Sequence, residues 1–170
     1  MAKIDFILFY DSKARELDSL ILLRKTLKKL NNSSVILPIH YHRYFYALTY
    51  HPKVILLPFF YSSSDGNYLI YKKLYPNTIF VNIHSEQIYN QDTKSIMMPT
   101  DSSSRDVFHI SWGSKFANDL IKCGVDENKI FITGSIRNDL ILLKNKINKS
   151  EKRNVLIPSS FGLSMMPRNY

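Results

Sequence analysis

The stretch from Trp112 to Asp139, WGSKFANDLIKCGVDENKIFITGSIRND, limits what this chain can fold into more than any other segment. It reads as a helix, a glycine turn, a short buried strand, a Gly-Ser loop and the start of a second helix. That order belongs to doubly wound α/β sheets, whose ligands sit on the loops after the strands.

The same alternation runs along the rest of the chain. Apolar runs predict strands at Ile4–Tyr10, Val35–Ile39, Val54–Leu57, Thr78–Ile83, Val107–Ser111 and Lys129–Thr133. Helices are predicted between them: one opening at Asp11 or Ser12, then Tyr41–Tyr50 stopped by Pro52, Tyr68–Leu74 ended by Pro76, and Lys115–Lys122. A final helix runs from Arg137 to about residue 148. The Ser-rich stretch Tyr89–Arg105 predicts a long loop. Strands alternating with helices imply a Rossmann-like, mainly parallel sheet with helices on both faces. Right-handed crossovers bring the strand-to-helix loops to one edge. That edge is expected to carry Asp11, Tyr61–Asn67, His84–Gln87, Ser111–Gly113 and Gly134–Arg137.

Composition sets wider bounds. The chain has 170 residues, enough for one good core, and its 45% hydrophobic and 22% charged content is that of an ordinary globular protein. The net charge of +9 favours anionic partners, namely nucleotide phosphates, an acidic membrane leaflet or nucleic acid. Lys residues spread along the whole chain explain the same charge without any partner, and no long like-charged block points to specific nucleic-acid binding. The single cysteine, Cys123, excludes an intrachain disulfide and reads as a packing residue. Lys3 and Asp5 break up the N-terminal apolar run, and no apolar stretch is long enough to span a bilayer. A cytoplasmic location is expected, with the inner face of the membrane as an option.

Two passages carry a family resemblance. The segment FYDSKARELDSLILLRKTL, with its Arg15-Glu16 pair, resembles the start of bacterial surface-carbohydrate (capsule-type) biosynthesis proteins, as does His84-Ser85-Glu86-Gln87. The stretch GVDENKIFITGSIRND is similar to teichoic-acid glycerophosphotransferases and sugar-nucleotide enzymes of the two-domain glycosyltransferase B architecture. Gly134, Arg137, Asn138 and Asp139 match their Gly-aromatic-Pro-Arg-Asn-Asp pattern. Ser135 and Ile136 replace its aromatic residue and proline. The resemblance implies an acceptor-side domain at residues 1–144, a linker at 145–153 and the start of a donor-binding domain at 154–170. It implies transfer of a glycosyl or polyol-phosphate group from a nucleotide-activated donor, bound with a second domain, to a glycan or lipid-linked acceptor. No cofactor or metal is implied.

Each candidate residue has a chemical reading and a structural one. Inverting sugar transfer needs a base for the acceptor hydroxyl, a role open to Glu86 with His84 nearby. Glu86 can instead cap a short helix, and His84 can make a structural hydrogen bond. Asp11 binds an acceptor hydroxyl or caps the following helix. Arg15 and Glu16 touch ligand or form an ion pair that anchors the loop. Asp65, Gly66 and Asn67 form a tight turn or a sugar-binding loop, and Gln87 belongs to the same strand-end set. Gly134 and Ser135 open a helix N-terminus able to hold an anion, with Arg137 in reach. Asp139 reads as part of the cap. Ser159 and Ser160 would face an inter-domain cleft. The cluster Tyr41, His42, Arg43, Tyr44, Phe45, Tyr46 and Tyr50 reads as a half-buried helix, a membrane-interface contact or a base-stacking surface. His40, His42 and His51 lack zinc spacing. A non-catalytic module that docks a separate donor domain, and a basic nucleic-acid-binding protein, are the rival readings.

Overall fold

The structure, a computed structural model, describes residues 2–89 and 94–147. Six strands form one sheet: β1 (Ala2–Tyr10), β2 (Ser34–Pro38), β3 (Tyr50–Leu57), β4 (Ile79–Asn82), β5 (Phe108–Ser111) and β6 (Ile130–Ile132). Every pairing is parallel, and the spatial order is β2-β1-β3-β4-β5-β6. The fold is Rossmann-like α/β. Its order reverses beside β1, which places a crevice at the carboxyl ends of β1 and its neighbours.

Among the described residues the helices include α1 (Lys13–Lys29), α2 (Arg43–Thr49), α3 (Gly66–Leu74), α4 (Ser102–Arg105), α5 (Ser114–Lys122) and α6 (Ile136–Ile147). One sheet face presents Ile7, Phe9, Ile55, Leu57 and Phe80 to Ala47 of α2 and Tyr71 of α3. Tyr71 and Phe9 meet edge to face with ring centroids 6.2 Å apart, and both are fully buried. Burying the Phe9 ring contributes about 1.5–3 kcal/mol. Farther along, Phe116 and Leu120 of α5 pack with Met98 and Val125. The other face is covered by α1 and α6, which touch each other.

Two elements depart from the expectation. Pro52 does not separate helix from strand: α2 already ends at Thr49, and Pro52 lies within β3, opposite Ile4 of β1. The Tyr89–Arg105 stretch is more ordered than a loop where it is described. It contains a 3-10 turn at Ser95–Met97 and the one-turn helix α4. Asp101 and Ser104 form a reciprocal capping box there, so local side-chain bonds overrode a weak hydrophobic pattern. The predicted linker at 145–153 enters the described residues only as the end of α6. The donor-side segment 154–170, with Ser159 and Ser160, lies outside them.

Candidate functional site

The carboxyl edge of the sheet carries a connected set of polar side chains. Asp11 follows β1, and its Oδ1 lies 2.6 Å from His40 Nε2, just past β2. Its Oδ2 pairs with Arg15 Nη2 at 3.3 Å. Arg15 Nη1 donates to Glu86 Oε2 at 2.7 Å, beyond β4. Glu16, almost fully buried, accepts the Asp11 backbone N–H at 2.8 Å and so fixes the turn that presents Asp11. The set runs His40–Asp11–Arg15–Glu86 across three strand ends, and all four side chains reach solvent.

Asp11 is therefore not the cap of α1. The N-cap is Ser12, without a side-chain cap bond, and the Asp11 carboxylate bonds His40 and Arg15. Arg15 and Glu16 do not pair with each other: Arg15 bonds Asp11 and Glu86, and Glu16 bonds backbone. Among the described residues Glu86 caps no helix. In the sequence His40 is read only against zinc spacing, although it lies two residues past the end of β2. The strand-end rule, applied to β2 as well, finds it.

His84 is separated from Glu86 by burial. It is 0% exposed, with its Nε2 2.9 Å from His109 Nδ1 and its ring against Phe116. Its backbone is left-handed (φ 45°), with its N–H given to Asn82 Oδ1 at 3.1 Å. Such a conformation costs about 1–3 kcal/mol in a non-glycine residue and persists where the surroundings fix it. Burial, followed by the neighbouring His109, holds the His84 pKa well below that of a free imidazole. Burial also lowers His109, to about 4. The two imidazoles share one buried hydrogen bond. Tyr61 lies over His84, and its phenol is pushed up to about 12 by burial and then by Glu86.

The other sequence candidates take structural roles or move to a second location. Asp65 caps α3, its Oδ1 accepting the N–H groups of Asn67 and Tyr68. Asn67 is buried and donates to the Ile39 carbonyl at 3.0 Å. Neither is presented as a sugar-binding loop. Gln87 braces the edge by donating to Ile110 O at 2.9 Å and accepting from Trp112 N at 2.7 Å. Asp139 lies inside α6. Its expected capping role falls to Ser135, which accepts the Asn138 N–H through its carbonyl and the Arg137 N–H through its hydroxyl.

Gly134, Ser135 and Arg137 line a cavity of about 320 Å³ on the α1/α6 side of the sheet. Its floor is Leu56, Val81, Ile83 and Ile110, and its walls include Leu20, Leu23 and Ile136. Glu16, Ser85 and Trp112 lie on its boundary. The cavity and the edge network are thus neighbours through the Arg15–Glu16 and Ser85–Glu86 steps of the chain.

The aromatic segment is half buried, with an apolar outer side. Ala47 is buried, and Tyr46 and Tyr50 pack on the core. Tyr41, Tyr44, Phe45 and Leu48 are exposed, Tyr44 by 72%. Among the described residues no helix is long and apolar enough to cross a membrane. Among the same residues no group of three or more His, Cys, Asp or Glu side chains is placed to hold a metal ion. No protein-family model matches the sequence, and no curated protein matches it at a significant level.

Proposed function

We propose that residues 2–147 form the acceptor-side domain of a glycosyltransferase B-like enzyme of bacterial surface polysaccharide synthesis. The reaction would move a glycosyl or polyol-phosphate group from a nucleotide-activated donor, held by a second domain, to a glycan or lipid-linked hydroxyl. The observation that supports it best is the His40–Asp11–Arg15–Glu86 set along the carboxyl edge of a parallel sheet. Carboxylates accept from sugar hydroxyls, and a guanidinium donates to sugar or phosphate oxygens. In the transfer step the acceptor oxygen forms a bond to the anomeric carbon or phosphorus. The nucleotide leaves with the bonding electron pair, and the hydroxyl proton passes to a base. Glu86, Asp11 and the Asp11-oriented His40 are bases on this edge that reach solvent. The exposed aromatic side of α2, on a chain of net charge +9, supports a peripheral contact with an anionic membrane.

A second reading is a binding module with no transfer of its own. One observation favours it: Glu86 is already engaged by Arg15, and His84 is buried. Titration calorimetry tests the main reading. Glycan or lipid-linked oligosaccharide acceptors should bind saturably, and Arg15→Ala should weaken them about tenfold through loss of a charged hydrogen bond. Tight binding of nucleotide sugars to this chain alone, or no binding of any acceptor, overturns it. Acceptor binding without transfer when donor domains are added back selects the module.

A further inference from the structure

The cavity between α1, α6 and the sheet holds an unusual combination. Its floor and walls are apolar, yet three polar atoms of its lining residues are buried with no hydrogen-bond partner among the described residues: Ser19 Oγ, Ser85 Oγ and Arg137 Nη2. Ser19 is only 3% exposed. An apolar cavity by itself is not a sign of a ligand, because such spaces can stay empty. Buried donors without acceptors are uncommon in native structures, and here three of them converge on one space. Here the donors include a guanidinium, which is always charged and matches carboxylate and phosphate oxygens.

The polar atoms also share a setting. Gly134 has φ +81° and turns the chain from β6 into α6, with Ser135 next to it and Arg137 in the first turn. The positive end of a twelve-residue helix therefore opens onto the cavity, where it favours negative charge. Two carboxylates lie on the boundary as well. Glu16 is committed to the Asp11 backbone N–H, and Asp139 is largely exposed to solvent. The volume lies at the lower end of the range for small-molecule pockets.

We infer that this cavity binds an anionic amphiphile. A medium-length alkyl or prenyl chain would lie on Leu56, Val81 and Ile110, and its phosphate or carboxylate head would meet Arg137, Ser19 and Ser85. The inference is independent of the sugar-transfer reading, since it concerns occupancy of the sheet face and not chemistry at the edge.

Trp112 lines the cavity and is the only tryptophan of the chain, so its fluorescence reports occupancy directly. The full chain is titrated with decyl phosphate, decanoate and decanol, each below its micellar concentration. Saturable changes are expected with at least one anion, and the tighter anion identifies the head group. Arg137→Gln should weaken the anions at least about tenfold, a lost charge-assisted hydrogen bond, and leave decanol unchanged. Ser19→Phe, with retained far-ultraviolet dichroism, should abolish binding by filling the space. No saturable change with either anion overturns the inference. So does equal binding of decanol and the anions that Arg137→Gln leaves unaltered, or unchanged binding in folded Ser19→Phe.

Discussion

The two faces of the sheet are built differently. On one, Ile55, Leu57 and Phe80 are buried under α2 and α3, and His109 is sealed farther along beside Phe116 and His84. On the other, α1 and α6 leave a cavity over Leu56, Val81 and Ile110, and Ile79 and Phe131 stay about half exposed. Strand order explains the contrast. Right-handed crossovers send the single leftward step, β1 to β2, over one face and every rightward step over the other. Four connections crowd the first face, while the second has α1 and the returning α6. Close packing, and with it stability, gathers on the crowded face, and room for a ligand remains on the sparse one.

Substitutions should separate the faces. The largest effect is expected from Phe9→Ala on the closed face, about 3–5 kcal/mol by urea unfolding. Leu56→Ala, on the cavity floor that already borders empty space, should cost less than about 2 kcal/mol because less new cavity is made. Equal costs would break the contrast.

Acid should act on the closed face next. Burial pushes the folded-state pKa of His109 down to about 4, against about 6.5 for a free imidazole. The unfolded chain therefore binds the proton first as pH falls. The contribution is complete above about pH 6.5 and is lost progressively as the pH drops toward 4, roughly 3 kcal/mol for this group. His84 shifts in the same direction. Urea midpoints measured between pH 7.5 and 4.5 should fall steeply in the wild type and less so in His109→Asn. Parallel profiles would remove the buried pair as the cause.

Added volume should give opposite signs on the two faces. Ala47→Leu forces a side chain into a filled core and should destabilise by about 1–3 kcal/mol. Ser19→Leu fills part of the cavity and removes an unpaired buried hydroxyl, so a gain of about 1 kcal/mol is expected. The smallest effect belongs to the edge between the faces. Glu86→Gln breaks a solvent-exposed ion pair and should change the unfolding free energy by less than about 0.5 kcal/mol. A larger loss would make the edge network part of the fold and not a spare recognition surface.

Much of this architecture was readable from local pattern. Runs such as Ile4–Tyr10 and Val54–Leu57 are uninterrupted because strands of a parallel sheet are covered on both sides, and that signal needs no partner to be recognised. The Gly134-Ser135 step into a helix was legible for the same reason. The site was less so. Arg15 meets Glu86 across 71 positions, His40 meets Asp11 across 29, and His84 meets His109 across 25. No local periodicity encodes such pairs. Asp65 shows the reverse failure: its reach is two and three residues, but a cap, a turn and a sugar loop use the same residue types.

The sequence by itself determined that strands and helices alternate, that the strands run parallel, and that Asp11, Glu86 and Gly134 share one edge. Those follow from hydrophobic period and chain chirality, which act over a few residues at a time. Only the tertiary structure decided that His84 is sealed away while His40 is presented, that Asp11 binds side chains instead of capping, and that a cavity with unpaired donors lies under α6. Burial and pairing depend on what arrives from distant parts of the chain, and the order in which strands are laid down sets that.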